Sequence, residues 1–299
     1  MLDYPALAAV ASVVREGSFE RAAEKLGVTP SAVSQRVRAL EERLGAILIV
    51  RGQPCIATDL GRRLCAHVDQ VQLLEADLGP ALALAGSEAN SPVTLRIAVN
   101  SDSISTWFPA AAADFASATG FLLEFILEDE AVTAERLRSG EVLAAVSSDP
   151  AAIQGCKTIE LGSLEYLACC TAEFAAHYFP NGVTDTSLRR APCLRFERLD
   201  GLQARWAKET HGVDLEAPMH WVPSTFGFLN FTQSGMAWGM NPAFLARPLI
   251  DDGKLVELTP GTSLKVSLFW TVTRLHASAL SALTDAVRRA ARSNLLPPT

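Results

Sequence analysis

The strongest constraint on the fold lies in the first 45 residues, where apolar side chains recur at helical spacing three times in succession and glycines close the first two runs. Leu7, Val10, Ala11 and Val14 fall at i, i+3, i+4 and i+7, so one face of a helix is apolar. Gly17 follows as a left-handed stop. Phe19, Ala22, Ala23 and Leu26 repeat the phase, with Ser18 placed to cap the start and Gly27 to end the run. The two alanines let a neighbouring helix come close. Thr29 then caps a third helix whose first residue is Pro30, where a missing N–H is no loss. Val33, Val37, Leu40 and Leu44 form its apolar stripe.

At about 100° per residue the opposite face of this third helix carries Ser31, Ser34, Gln35 and Arg38, with Arg36 on its flank. Hydroxyl, amide and guanidinium groups near the start of a helix anchored by its other side are what major-groove readout requires. The same residues on an arbitrary helix would mark only a solvated face, and it is the trihelical setting that favours DNA. Ile47–Val50 and Cys55–Ala57 are expected as two short strands joined by the turn Arg51-Gly52-Gln53-Pro54, which makes a wing. Arg51 in that turn is either a phosphate or minor-groove contact or a solvated charge. Charge supports a DNA-facing N-terminus: residues 1–64 hold nine Lys/Arg and seven Asp/Glu, net +2, whereas the remainder carries −9 of the chain's overall −7.

Thr58 caps a further helix in which Leu60, Leu64, Val68, Val71, Leu74 and Leu78 approximate a heptad seam. Such a seam serves self-association or packing within the chain, and periodicity alone fits both. Gly79-Pro80 is expected to stop or kink it, with a linker through residues 86–92. From Val93 the pattern changes to strands alternating with helices, which predicts a parallel sheet covered on both faces. Strands are expected at Val93–Val99, Phe121–Leu127, Val142–Ser147, Glu165–Cys170, His220–Val222, Met236–Met240 and Ser267–Val272. Helices are expected from about Trp107 and Thr133, at Leu202–His211 and Thr225–Gln233, and finally at Ser278–Ser293. Two lobes result.

Several function classes are disfavoured. The six cysteines show no Cys-x-x-Cys spacing and the five histidines no paired ligand spacing, so no metal or cofactor is assigned. Gly-x-Ser-x-Gly and phosphate-binding glycine loops are missing, and an enzyme is not expected. The start of the chain has no basic segment leading into an apolar one, and no run approaches the ~20 apolar residues of a membrane span, so a cytoplasmic protein is expected. An exported solute receptor of similar two-lobed build would need such a signal and would have no use for the N-terminal helices.

The segments Gly17-Ser18-Phe19-Glu20-Arg21-Ala22-Ala23-Glu24-Lys25-Leu26 and Thr29-Pro30-Ser31-Ala32-Val33-Ser34-Gln35-Arg36-Val37, with Leu40-Glu41, closely resemble the winged helix-turn-helix of LysR-type transcription regulators. Asn100–Ser103, Thr106-Trp107, Leu127–Glu130, Gly155-Cys156, His220–Ser224 and Trp238-Gly239 extend the resemblance to the branch that includes ArgP and LysG. Two positions depart from that branch's pattern: Val132 stands in place of a histidine, and 268–273 lacks a second tryptophan or basic residue.

The resemblance implies a winged helix-turn-helix DNA-binding domain (1–58), a linker helix and hinge for dimerisation (59–91), and a two-lobed α/β effector domain like type 2 periplasmic binding proteins (92–299). The first lobe would comprise about 92–161 and 268–299, the second about 162–267. It further implies a homodimer or homotetramer, a double-stranded operator, RNA polymerase as a partner, and a small effector, with L-lysine or L-arginine leading and another small molecule as the alternative. In such a domain the ligand lies between the lobes, at strand ends. Asn100, Ser101, Asp102, Ser103 and Thr106 fall on the first strand-end loop, whose hydroxyls and free N–H groups would suit a carboxylate. Asp102, Asp129 and Glu130 could pair with an ammonium group, and Ser224 and Thr225 repeat the pattern of hydroxyls before a helix. The same hydroxyls can be plain helix caps and the acids plain solvated charges.

Overall fold

In the computed structural model of the chain, residues 3–82, 93–127, 130–275 and 278–298 are described. The N-terminal unit follows its capping residues closely. α1 (Tyr4–Glu16), α2 (Phe19–Leu26) and α3 (Pro30–Leu44) are capped by the side chains of Asp3, Ser18 and Thr29, and each ends on a left-handed glycine, Gly17, Gly27 or Gly45. Leu7, Val10, Ala22, Ala23, Val33, Val37 and Leu40 meet in one core. Leu44, expected in the stripe, is 39% exposed, because the helix ends there and its last turn projects beyond the neighbouring helices.

The wing is shorter than expected: β1 (Ile49–Val50) pairs antiparallel with β2 (Ile56–Ala57). Two features fix it to the helices. Glu41 of α3 accepts hydrogen bonds from the backbone N–H groups of Leu48 (2.8 Å) and Ile49 (3.3 Å), and the Cys55 N–H donates to the Gly17 carbonyl at 2.8 Å. α4 (Asp59–Leu82) then leaves the wing, with Thr58 Oγ1 accepting from the Gly61 N–H at 3.1 Å.

α4 runs through Gly79-Pro80 instead of stopping there. Pro80 lies within the final turn, where its missing donor removes one bond close to the helix end. The seam divides on inspection. Val68 is buried in the N-terminal core, while Leu60 and Leu74 stay exposed and Leu64 and Val71 half-buried. The Leu78 side chain and the linker 86–92 fall outside the described residues. Leu73, one step off the seam, is buried in the core of the effector domain, and Asp69 of α4 accepts from Arg15 of α1. The linker helix therefore grips both units within one chain.

The effector domain contains β3 (Thr94–Val99), α5 (Ser101–Ser105), α6 (Phe108–Thr119), β4 (Leu122–Leu127), α7 (Glu130–Ser139) and β5 (Ala144–Ser147) in its first lobe. β6 (Cys156–Cys170) leads to α8 (Ala172–Tyr178), α9 (Asp185–Arg190), β7 (Cys193–Arg195), α10 (Leu202–His211), β8 (Met219–Trp221), α11 (Thr225–Gln233), β9 (Gly239–Pro242), α12 (Ala243–Asp251) and β10 (Val256–Glu257). β11 (Ser263–Thr273) returns, and α13 (Ser278–Asn294) packs beside α6. β4, β3 and β5 are parallel, but β11 runs antiparallel to both β5 and β6, so the sheet is mixed, not the parallel one expected.

The main correction concerns β6 and β11. They span 15 and 11 residues, far longer than the six-residue segments expected, and pair along their lengths from one lobe to the other. The pairing shifts register between Leu268 and Phe269, opposite Gly162, which adopts φ +124°. A Cβ on Gly162 would lie 2.3 Å from the Leu296 carbonyl oxygen, so the C-terminal segment seats directly on this bulge.

Candidate functional site

On the N-terminal unit, α3 is held by Val33, Val37 and Leu40, so its other side faces outward. Ser31, Gln35 and Arg38 are exposed, and Ser34 and Arg36 half-buried. Arg38 is paired with Glu42 at 2.8 Å, one helical turn away, which lessens its freedom to meet a base. Arg51 is exposed at the wing and lies over the Phe19 ring at 5.0 Å, so the guanidinium is aimed by α2 and not loose in the turn. Wing and third helix thus present their donors on a unit whose parts are tied together by Glu41 and by the Cys55–Gly17 bond.

At the carboxyl end of β3, the segment expected as a loop forms the short helix α5. Asn100 is its cap, accepting from the Ser103 N–H at 3.2 Å. That donor is consequently not free for a ligand carboxylate. Ser103 is fully buried and accepts from Trp107 Nε1 at 3.0 Å, and Thr106 Oγ1 donates to the Asp102 carbonyl at 2.6 Å. Ser103 and Thr106 are therefore part of the scaffold, while Ser101 and Asp102 face the second lobe.

There the two lobes meet through hydrogen bonds. Thr225 Oγ1, at the first position of α11, donates to Asp102 Oδ1 at 2.6 Å, and the Tyr166 hydroxyl of β6 donates to Asp102 Oδ2 at 2.6 Å. Ser101 Oγ lies 2.9 Å from Thr225 Oγ1. A hydroxyl has one proton, and that of Thr225 goes to Asp102, so Ser101 is the donor in this pair. Two hydroxyls thus donate directly to one carboxylate, and Ser101 donates to the Thr225 oxygen behind it. Ser224 caps α11 by accepting from the Gly227 N–H at 3.1 Å and is exposed beside the cluster.

Burial pushes the Asp102 carboxyl above its ordinary value, the bonds from Thr225 and Tyr166 pull it back, and the nearby Asp200 pushes it up again. Asp200 is anchored in the second lobe, accepting from the N–H groups of Phe196 and Leu202 and from Gln203 Nε2. Among the described residues no basic side chain forms an ion pair with Asp102. The lobe interface thus combines a desolvated carboxylate that has no ion-pair partner among the described residues with a second acid, Asp200, whose backbone carbonyl holds the Arg195 guanidinium; the Asp102 carboxylate itself is left able to attract a cation. Asp129 lies outside the described residues, as does the side chain of Glu130, whose backbone begins α7. Tyr166 and Asp200 were not identifiable from sequence. A tyrosine on a strand reads as core, and Asp200 is 98 positions from Asp102 with no motif to connect them.

A wing-and-helix reading head joined by one long helix to a hinged pair of lobes defines a class: DNA-binding regulators governed through a ligand domain. Family models agree. Residues 5–62 match the bacterial regulatory helix-turn-helix protein, lysR family, and residues 90–292 match the LysR substrate binding domain. The chain belongs to the LysR family. The HTH-type transcriptional regulator ArgP of Pseudomonas aeruginosa strain PAO1 is 41% identical over 288 residues, covering 95% of this chain and 94% of its own. The crystal structure of ArgP from Mycobacterium tuberculosis has a TM-score of 0.80 at 38% identity and covers 100% of both chains. Full-length LysG from Corynebacterium glutamicum with bound effector Arg has a TM-score of 0.69 at 36% identity, covering 99% of this chain and 100% of that one. The expected ArgP/LysG branch is borne out by these relatives. Among the described residues no helix is long and apolar enough to cross a membrane.

Proposed function

We propose that the chain reads a double-stranded operator through α3 and the wing and that a basic amino acid, L-arginine or L-lysine, controls it from the cleft between the lobes. The carrying observation is Asp102: a half-buried carboxylate with two hydroxyl donors, a neighbouring acid and, among the described residues, no ion-pair partner. An α-ammonium or basic side chain supplies the missing charge, and Ser101, Ser224 and Thr225 offer hydroxyls to the rest of the ligand. Asp129 and Glu130 follow β4 in sequence, and the last residue of β4, Leu127, pairs with Val99 at the end of β3. The arginine named with the Corynebacterium LysG structure supports this choice of effector.

A thermal-shift panel of amino acids tests the effector. A ligand at one hundred times its dissociation constant stabilises the folded state by ~2.7 kcal/mol. Arginine or lysine is expected to raise the melting temperature, and a panel in which only other small molecules do so replaces the basic effector with a different one. The regulated genes, on this reading, serve export or metabolism of that amino acid.

Ser31, Ser34, Gln35, Arg36, Arg38 and Arg51 are proposed as the DNA contacts, with Gln35 the principal base reader and Arg51 a backbone contact. Gln35→Ala is expected to weaken operator binding by about 1–3 kcal/mol and relax sequence preference. Arg51→Ala is expected to weaken it for all sequences and reduce the salt slope by about one. Footprints unchanged in both variants overturn these assignments. The exposed seam residues Leu60 and Leu74, with half-buried Leu64 and Val71, suit pairing of two α4 helices, which supports a dimer or tetramer; RNA polymerase is the further partner proposed for a regulator bound at an operator.

A further inference from the structure

A second concavity lies away from the lobe interface, where α4 passes the first lobe. It is a cavity of about 340 Å³, open to solvent, bounded by Gln70 of α4, the end of α7, the start of β6 and the end of β11. That size falls within the range of about 300–1,000 Å³ that small-molecule sites occupy. Its polar lining is made of donors. Arg138 and Arg274 supply guanidinium groups and Gln70 and Gln154 amides, and no carboxylate is among the described lining residues.

Two details argue that this lining is arranged for a ligand. Arg274 donates its Nε to the Cys156 carbonyl at 3.1 Å, which fixes the side chain, and it forms no ion pair among the described residues. Arg138 is held by Glu135 at only 3.4 Å, an exposed and long contact that a better acceptor displaces readily. Both guanidinium groups act on the Cys156 thiol, opposing the upward push of its burial, so both fields converge on this floor residue.

We propose that this cavity is a second ligand site, for a compact dicarboxylate, in which Arg138 and Arg274 each pair with one carboxylate and Gln70 adds a contact from the linker helix. The ligand would bridge α4 and the first lobe independently of the amino-acid cleft. Gln70 is already seated close: a Cβ on Gly140 would lie 2.1 Å from its Nε2.

Titration calorimetry on the full chain with succinate tests this, with inorganic phosphate as a parallel probe. Saturable binding of one succinate per chain is expected. Affinity should fall at least tenfold in Arg274→Gln and in Arg138→Gln, and about threefold in Gln70→Ala, with an unchanged melting temperature in Arg138→Gln, whose side chain is exposed, and a small drop in Arg274→Gln, which loses the bond to the Cys156 carbonyl. The Thr225→Val variant, altered only at the lobe interface, should bind succinate normally. Three results overturn the proposal: no saturable succinate binding, phosphate binding more tightly than succinate, or succinate binding lost in Thr225→Val but kept in Arg274→Gln. Failure of the arginine response in the panel above leaves this site untouched, so the two readings are tested separately.

Discussion

Asp102→Asn is expected to lower the affinity for arginine roughly 100-fold, about 2.7 kcal/mol. Asparagine keeps the size of the side chain and an oxygen for Thr225 or Tyr166, but it removes the charge. In the ligand complex that charge is paired with a cation out of water, and breaking one partner of such a pair is among the larger single-residue effects. Without ligand the sign reverses. Burial raises the Asp102 carboxyl in the folded state, with the hydroxyl bonds opposing, so its contribution to stability is complete below the unfolded-state value. That contribution is lost as pH rises through the folded-state value. The ligand-free wild type is therefore expected to lose stability over this acid-side window as pH increases, whereas the Asn variant lacks that component. Arginine affinity of the wild type should fall as pH drops through the same range, because protonation removes the partner of the cation. Calorimetric titrations and melts at several pH values check both parts. Wild-type affinity in Asp102→Asn contradicts the assignment.

Gly61→Ala should disable DNA binding from a position that touches no DNA. Gly61 lies in the first turn of α4, where a Cβ would come 2.1 Å from the Leu48 carbonyl oxygen and 3.1 Å from its carbon. This is backbone against backbone, with no flexible side-chain end to yield. Leu48 cannot move aside cheaply, because its carbonyl accepts from the Thr58 N–H at 2.9 Å and its N–H donates to Glu41 at 2.8 Å. The strand carrying the wing must shift instead, at a cost of about 3 kcal/mol, the upper part of the usual range for overpacking. The N-terminal unit is expected to melt earlier and operator affinity to collapse, while arginine binding persists in the distant cleft. Intact operator binding by Gly61→Ala would show that the wing does not depend on this contact.

These two residues illustrate what a sequence discloses. Caps and stops are local, so Ser18, Thr29, Gly17 and Gly27 marked the helices almost to the residue. Helix α10 and helix α11 were also legible, since each begins beside a residue suited to a helix start and has length enough to show its period. The full lengths of β6 and β11 were not: β6 is buried along much of both faces and so loses the alternation that identifies a strand, and the lobe-crossing pairing that extends β11 beyond its apolar stretch is non-local. Gly61 gave no hint of its role, as close approach to Leu48 exists only after the wing folds. Ser101, Asp102 and Thr225, singled out because strand-end loops and helix starts are where ligands bind in such sheets, are brought within hydrogen-bond reach of one another. Their neighbours Ser103 and Thr106 have the same chemistry and the same location, yet turn to Trp107 and the helix backbone. Only the rotation of α5 about its axis separates the two sets.

A cation held at Asp102 is proposed to alter how the N-terminal unit meets DNA. Footprinting the full chain on the DNA upstream of its neighbouring gene, with and without L-arginine, in wild type and Asp102→Asn, tests it most directly. The protected region or its salt sensitivity should change with arginine in the wild type and stay constant in the variant. An arginine-dependent change of equal size in both proteins would contradict the claim.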